Sequence, residues 1–242
     1  MSLLRALLVF VMAVTCGRAQ IVADHNSHAW FMYFGDHPVS ERWGVHLEGQ
    51  VRRAELGASW QQLLLRPGVN FKLRPNLLLT AGYGYVKSHP YGDFPAAAPF
   101  PEHRLYEQAL WSQKVKKLPI QHRFRLEQRW VGQMTGGERT GWQYRQRFRY
   151  MLRGDVPLKG RVYLGLYDEV FLGFGENRGP QALDQNRAYG AIGYNLGKPG
   201  KVEFGYLHQF VPQRNGIVHE HNHTLQVAFY SKLPFGGDRK AK

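Results

Sequence analysis

Cysteine is the scarcest residue here: the 242-residue chain has one, at position 16. Cys16 falls in a segment that reads as a cleaved leader, so the mature chain would contain no thiol. That excludes a disulfide framework, thiolate catalysis and cysteine-ligated zinc. Long apolar runs are scarce too. Beyond residue 14 nothing approaches the roughly twenty consecutive apolar residues of a transmembrane helix. Acidic residues form the third deficit, with 18 Asp and Glu against 32 Lys and Arg and a formal charge of +14. Such an excess suits nucleic acid or acidic lipid. The arginines, however, are not gathered in a tail or along one helix. They recur at every second position in separate segments, interleaved with aromatics, which argues against nucleic acid.

What is present starts with the leader. "MSLLRALLVFVMAVTCGRAQ" carries Arg5, an apolar run from Ala6 to Val14, and Gly17 and Ala19 at the −3 and −1 positions before Gln20. This is the pattern of a secretory signal peptide over residues 1–19, leaving 20–242 as one domain. Thr15 stands before Cys16 where a lipoprotein signal wants a small residue, so acylation is not expected. Removing Arg5 and Arg18 lowers the charge only from +14 to +12. The basic excess therefore belongs to the folded part.

The folded part alternates. In "HRFRLEQRW", Arg123, Arg125, Glu127 and Arg129 oppose Phe124, Leu126 and Trp130, with Gln128 the exception. In "ERWGVHLEGQVRR", Trp43, Val45, Leu47 and Val51 oppose His46, Glu48, Gln50 and Arg52. "WQYRQRFRYMLR" sets Trp142, Tyr144, Phe148 and Tyr150 against Arg145, Arg147 and Arg149. Similar patterns follow through Val162–Val170, Ile192–Leu196, Val202–Phe210 and Leu225–Phe229, with Asp168 and His208 on otherwise apolar faces. Leu77–Val86 and Arg104–Trp111 alternate weakly. A period of two marks strands with two unlike faces. A secreted chain without a spanning helix can still cross a membrane as a closed barrel of such strands.

The links between strands also alternate. "LRPN", "KVKKLP", "RGDVPLK" and "LGKPG" are short turns, whereas "SHPYGDFPAAAPFPEH", "GQMTGGERT", "GFGENRGPQALDQ" and "VPQRNGIVHEH" read as longer loops. The expected fold is all-β: a closed antiparallel transmembrane β-barrel of about 10–12 strands, with short periplasmic turns and longer extracellular loops. A soluble lipocalin-like barrel would need the opposite faces, apolar within and polar outside. Trp130 and Trp142 flank one link and suit an interfacial girdle. About ten strands lie between Trp43 and Leu233, which would put both ends on the periplasmic side. The apolar stretch Ala29–Phe34 then breaks the even count. Either another strand hides in a loop, or this stretch enters differently.

The strings "ERWGVHLEGQVRR", "QQLLLRPGVNFKL", "TAGYGYV", "PEHRLYEQ", "HRFRLEQRW" and "DQNRAYGAIGY" together resemble an uncharacterised bacterial family catalogued as domain of unknown function twenty-four-ninety. The likeness runs from Trp30 to Phe229. It implies a small outer-membrane β-barrel and no particular activity, so it assigns no catalytic residue.

Six arginines are candidates for anion binding in the lumen: Arg123, Arg125, Arg129, Arg145, Arg147 and Arg149, expected to form one basic wall on neighbouring strands. Guanidinium forks suit phosphate and carboxylate. Glu48, Glu127, Glu169 and Glu203 are the expected counter-charges, too few for one-to-one neutralisation. The bland reading of these rows is a lattice of ion pairs that fills and stiffens the barrel. For metal, "HEHNH" offers only His219, His221 and His223, spaced so that two neighbours could share an ion. His46, His103 and His122 are scattered and Ser59, Ser88 and Ser112 follow no nucleophile motif, so no catalytic group is assigned.

The sequence thus points to a non-enzymatic, porin-like barrel in the outer membrane of a Gram-negative bacterium. Its lumen is expected to be basic and largely plugged, with a structural or anion-recognition role. A narrow anion-selective pore is the alternative, and a lipid-modifying enzyme the third reading. Expected partners are outer-membrane lipid, the barrel-assembly machinery and a small anion. No cofactor or nucleic acid is expected, and the sequence leaves the oligomeric state open.

Overall fold

The computed structural model describes residues 21–116 and 118–235; the expected signal peptide, with Cys16, lies outside the described residues. Eleven strands run through them: β1 (Val22–Pro38), β2 (Trp43–Ala54), β3 (Ser59–Arg74), β4 (Leu77–Ser88), β5 (Phe100–Val115), β6 (Leu118–Thr135), β7 (Glu138–Pro157), β8 (Val162–Phe174), β9 (Leu183–Gly197), β10 (Gly200–Pro212) and β11 (Val218–Ser231). They close into one barrel in sequence order. Closure leaves no strand edge with unpaired amides and carbonyls.

Ten strands do follow from Trp43 onward, β2 to β11, each antiparallel to the next. The stretch Ala29–Phe34 belongs to β1, the eleventh. β1 pairs antiparallel with β2 and parallel with β11, in register from Val22↔Val218 to Gly35↔Ser231. The even count and the shared side for both ends are therefore corrected. With eleven strands, β1 begins at the end carrying the long loops and β11 finishes at the end carrying the short turns. Two strands that run the same way can only pair in parallel. That single seam departs from the all-antiparallel expectation.

The faces follow the alternation. Phe124 and Leu126 are 38% and 37% exposed on the outer surface, whereas Arg125 and Glu127 are 2% and 0% exposed within. Leu65, Val69, Leu105, Ile192 and Phe204 continue the exposed apolar surface around the barrel. The weakly alternating segments are β4 and β5. The period is blurred on β4 because Gly82 and Gly84 take inward positions, and on β5 because Tyr106 points inward while Glu107 points outward. At Gly82 an added Cβ would sit 2.6 Å from the Tyr106 hydroxyl, so the missing side chain makes room for an inward tyrosine. Tyr163 lies across Gly193 in the same way, its ring filling the space that a Cβ there would need.

The link "GQMTGGERT" is a tight hairpin, not a loop. Gly136 and Gly137, at φ +60° and +86°, form a two-residue turn, and both strands run to its edge. Left-handed backbone at both central positions is what such a turn requires, and glycine adopts it without a Cβ clash. The β4–β5 link is a true loop and folds inward. Its Tyr91 hydroxyl donates to Glu220 Oε2 at 2.8 Å, and its ring stands edge-on to His28 with centroids 5.0 Å apart. Burial, then the Glu220 carboxylate, push the Tyr91 phenol upward, so it stays a neutral donor. Gln213, from the β10–β11 loop, donates to Glu220 Oε1 and to the Phe94 carbonyl. These contacts cover the lumen at the long-loop end.

Candidate anion-binding vestibule

Alternation delivers the arginines to the lumen, and pairing register sets their heights. On β6 and β7, Arg125 faces Arg149, Glu127 faces Arg147, and Arg129 faces Arg145. Like charges side by side would repel, so acids from β6 itself and from other strands are drawn between them. Glu127 accepts from Arg147 Nη2 and Arg149 Nη1, both at 2.6 Å. Glu169 accepts from Arg123 and Arg149 at 2.8 Å each. Glu48 accepts from Arg66 at 2.6 Å, and Glu203 takes Arg153.

The six arginines expected in the lumen are thus all there, but they do not act as one wall. Arg123, Arg125 and Arg149 line a cavity of about 420 Å³ at the short-turn end. Arg147 lies in the middle of the lattice, bound to Glu127 and Asp184. Arg129 and Arg145 stand at the long-loop end, where Arg129 pairs with Glu102 and Arg145 is held by Gln143. Glu48, Glu127, Glu169 and Glu203 are all buried in the lumen. Glu102, Asp155 and Asp184 add counter-charges that sequence reasoning missed, because they lie in stretches that read as loops or turns.

Aromatic rings do what the acids cannot. Phe171 carries three guanidinium carbons, of Arg149 at 4.3 Å, Arg187 at 4.7 Å and Arg147 at 5.0 Å from its centroid. Trp30 sits between Arg52 at 3.9 Å and Arg187 at 5.2 Å. Tyr106 carries Arg125 at 5.0 Å. A desolvated cation over a ring gains about 2 kcal/mol or more, and does so without a compensating charge. Net positive charge is consequently retained inside the barrel.

Part of that surplus stands where the lumen is open, while Arg52 and Arg145, held by glutamines, carry the rest elsewhere. Among the described residues Arg187 makes no ion pair. Its Nε has no hydrogen-bond partner. Arg125 donates twice to Gln108 Oε1, at 2.9 and 2.6 Å, and its Nη1 is unpartnered. The nearest acid to Arg125, Glu48, is 3.6 Å away and already held by Arg66. Both arginines line the cavity, together with apolar wall residues Met32, Phe34, Leu78, Leu110 and Tyr230. The arrangement can bind an anion at its floor and apolar matter along its sides. Arg187 was legible as the inward residue of "DQNRAYG", between Gln185 and Tyr189, but only the register places it beside Arg125's cavity.

Other candidates separate. His46 donates from Nδ1 to Asp36 at 2.8 Å in the same cavity, but its Nε2 faces Glu48 at 3.6 Å and meets no hydroxyl. An aspartate–histidine pair without a nucleophile is not a hydrolytic centre. His103 and His122 lie on the outer face beside Tyr83 and Tyr150. His219, His221 and His223 are in β11 rather than in a loop. His219 packs edge-on against Phe210 and stands apart from the other two, which meet histidines of neighbouring strands.

The profile of the family described as "Protein of unknown function (DUF2490)" matches residues 27–220. An uncharacterized protein of Methylorubrum extorquens is 29% identical over 170 residues, covering 69% of this chain and 71% of that protein. No solved structure matches the chain.

Proposed function

The chain belongs to the DUF2490 family of proteins of unknown function, and from that premise we propose that it is a Gram-negative outer-membrane β-barrel whose lumen recognises a small anion from the short-turn side. The membrane part of this reading rests on the exposed apolar surface outside and the charged interior, the reverse of a soluble ligand-binding barrel. The signal-like leader agrees with it. The anion part rests on one observation: Arg125 and Arg187 face a cavity of about 420 Å³, Arg187 with no ion pair among the described residues and Arg125 reaching only Glu48, 3.6 Å away and already held by Arg66. Short turns at that end correspond to the periplasm, so the ligand enters from inside the cell envelope.

The lattice around Glu127 and the loop carrying Tyr91 oppose a steady conducting path, which favours recognition over an anion-selective pore. Fractionation tests location: the protein is expected with the outer membrane, migrating differently on gels before and after boiling. Recovery as a soluble periplasmic protein without detergent would remove the membrane reading. Anion recognition is tested by calorimetry with inorganic phosphate. Arg125→Gln and Arg187→Gln should each weaken binding by about 10- to 150-fold, since a charge-assisted hydrogen bond is worth about 1.5–3 kcal/mol. Unchanged affinity in both variants would overturn the site.

A further inference from the structure

The outer surface carries a second cluster of chemistry, unrelated to the vestibule. Four histidines from three strands meet near the long-loop end: His25 on β1, His208 on β10, and His221 and His223 on β11. Register puts His25 directly beside His221 across the parallel seam, and His208 directly beside His223 across β10–β11. Their ring centroids form a closed circuit, with His25–His221 at 5.1 Å, His221–His208 at 5.5 Å, His208–His223 at 5.5 Å and His223–His25 at 5.9 Å.

These four of the six possible spacings come close to those of metal coordination. Imidazole nitrogens about 2.0–2.1 Å from a tetrahedral zinc ion lie about 3.3 Å from one another, and the ring centroids about 5 Å apart. His208 Nε2 and His221 Nδ1 are 3.4 Å apart. His223 already has the partner that ligating histidines usually keep: its Nδ1 is 2.6 Å from the Tyr206 hydroxyl, leaving Nε2 free to bind. Among the described residues no three such groups yet converge on one point. The reason is ring orientation, because His25 lies stacked on both His221 and His223, at interplanar angles of 19° and 11°. The rings stand on the outside of the barrel, so rotation about χ2 displaces no lumenal packing.

We propose that His25, His208, His221 and His223 form a binding site for a late first-row divalent ion, with zinc the fitting probe. An all-imidazole donor set suits zinc, copper or nickel rather than calcium or magnesium. The bound ion bridges β1, β11 and β10 and staples the one parallel seam of the barrel near the start of its first strand. His219, the remaining histidine of "HEHNH", takes no part.

The test uses the full mature protein in detergent micelles, stripped with chelator, with zinc titrated against a chromogenic competitor at pH 7.5. One tight zinc per chain is expected, together with a higher melting temperature. His208→Gln and His221→Gln should each weaken binding by more than about 100-fold, beyond the 10–100-fold that loss of an outer partner costs. Tyr206→Phe should fall within that 10–100-fold range by freeing the His223 ring. His219→Gln should bind as the unmodified protein does. Gel migration before and after boiling confirms that each variant is a closed barrel. Wild-type affinity in both His208→Gln and His221→Gln would overturn the proposal. An equal loss in His219→Gln would overturn it too, since it would indicate loose binding to any surface histidine.

Discussion

Replacing Glu127 by glutamine tests whether the interior is held by charge. Glu127 is fully buried and accepts from Arg147 and Arg149 at 2.6 Å, with Arg66 and Arg104 each 4.0 Å away. Glutamine keeps the shape and one acceptor oxygen. It deletes the one negative charge that, among the described residues, reaches all four guanidiniums, leaving each with a single acid, and turns an amide donor toward them. Removing one partner of a buried ion pair costs about 3–5 kcal/mol, because the opposing charge stays buried. For a chain of this size each kcal/mol moves the melting temperature by about 2–4 °C. The expected fall is therefore roughly 6–20 °C, read from thermal unfolding in micelles by circular dichroism or by loss of the fast-migrating gel form. The double variant Glu127→Met with Arg147→Met removes both signs together and should recover part of the loss, since buried pairs can be replaced by apolar groups at little cost. A fall below about 3 °C for Glu127→Gln, or a double variant worse than both singles combined, would refute the argument. The lattice would then be solvated rather than paired.

Other outcomes follow from the same geometry. Leu126→Arg, on the exposed apolar face, should impair insertion by about 2–4 kcal/mol, while Arg125→Leu on the neighbouring lumenal position should insert normally; the reverse order in a membrane-integration assay would mean the barrel is inside out. Planar-bilayer recordings should show little steady current, and Tyr91→Ala, which frees the β4–β5 loop from Glu220, should raise it with anions preferred and with the preference fading in high salt. A large conductance from the unmodified protein contradicts the closed lumen. Epitope tags inserted before Val22 and just after Ser231 should lie on opposite membrane faces, the first reached in intact cells and the second only after permeabilisation, because eleven strands separate them. Tags accessible from the same face would exclude the parallel seam.

Much of this fold was legible because a barrel wall is read one strand at a time. The alternation of Phe124, Arg125, Leu126 and Glu127 is a local property, and a period of two assigns each residue to a face whatever its neighbours are. Ten strands from Trp43 onward, an apolar outside and an arginine-rich inside all follow from that rule. The hairpin at Gly136–Gly137 was not, because a Gly–Gly pair inside "GQMTGGERT" serves either a tight turn or an open loop, and only the pairing of Thr135 with Glu138 distinguishes them.

What the sequence could not determine depends on pairing between strands far apart in the chain. Whether Ala29–Phe34 hints at a twelfth strand or closes the barrel depends on β11, nearly two hundred residues later, and parallel closure leaves no mark in either segment alone. The same holds for charge. Sequence counts arginines against glutamates, but Arg66 and Arg187 look alike, and register sets each opposite a glutamate; Glu48 goes to Arg66, whereas Arg123 and Arg149 take Glu169 and leave Arg187 on Phe171 and Trp30. The histidines show it most sharply. "HEHNH" displays three histidines of one strand, yet His219 turns to Phe210 while His25 and His208 arrive from strands on either side. Face is fixed by neighbours in sequence; partnership is fixed by neighbours in space, which the closure of the barrel alone supplies.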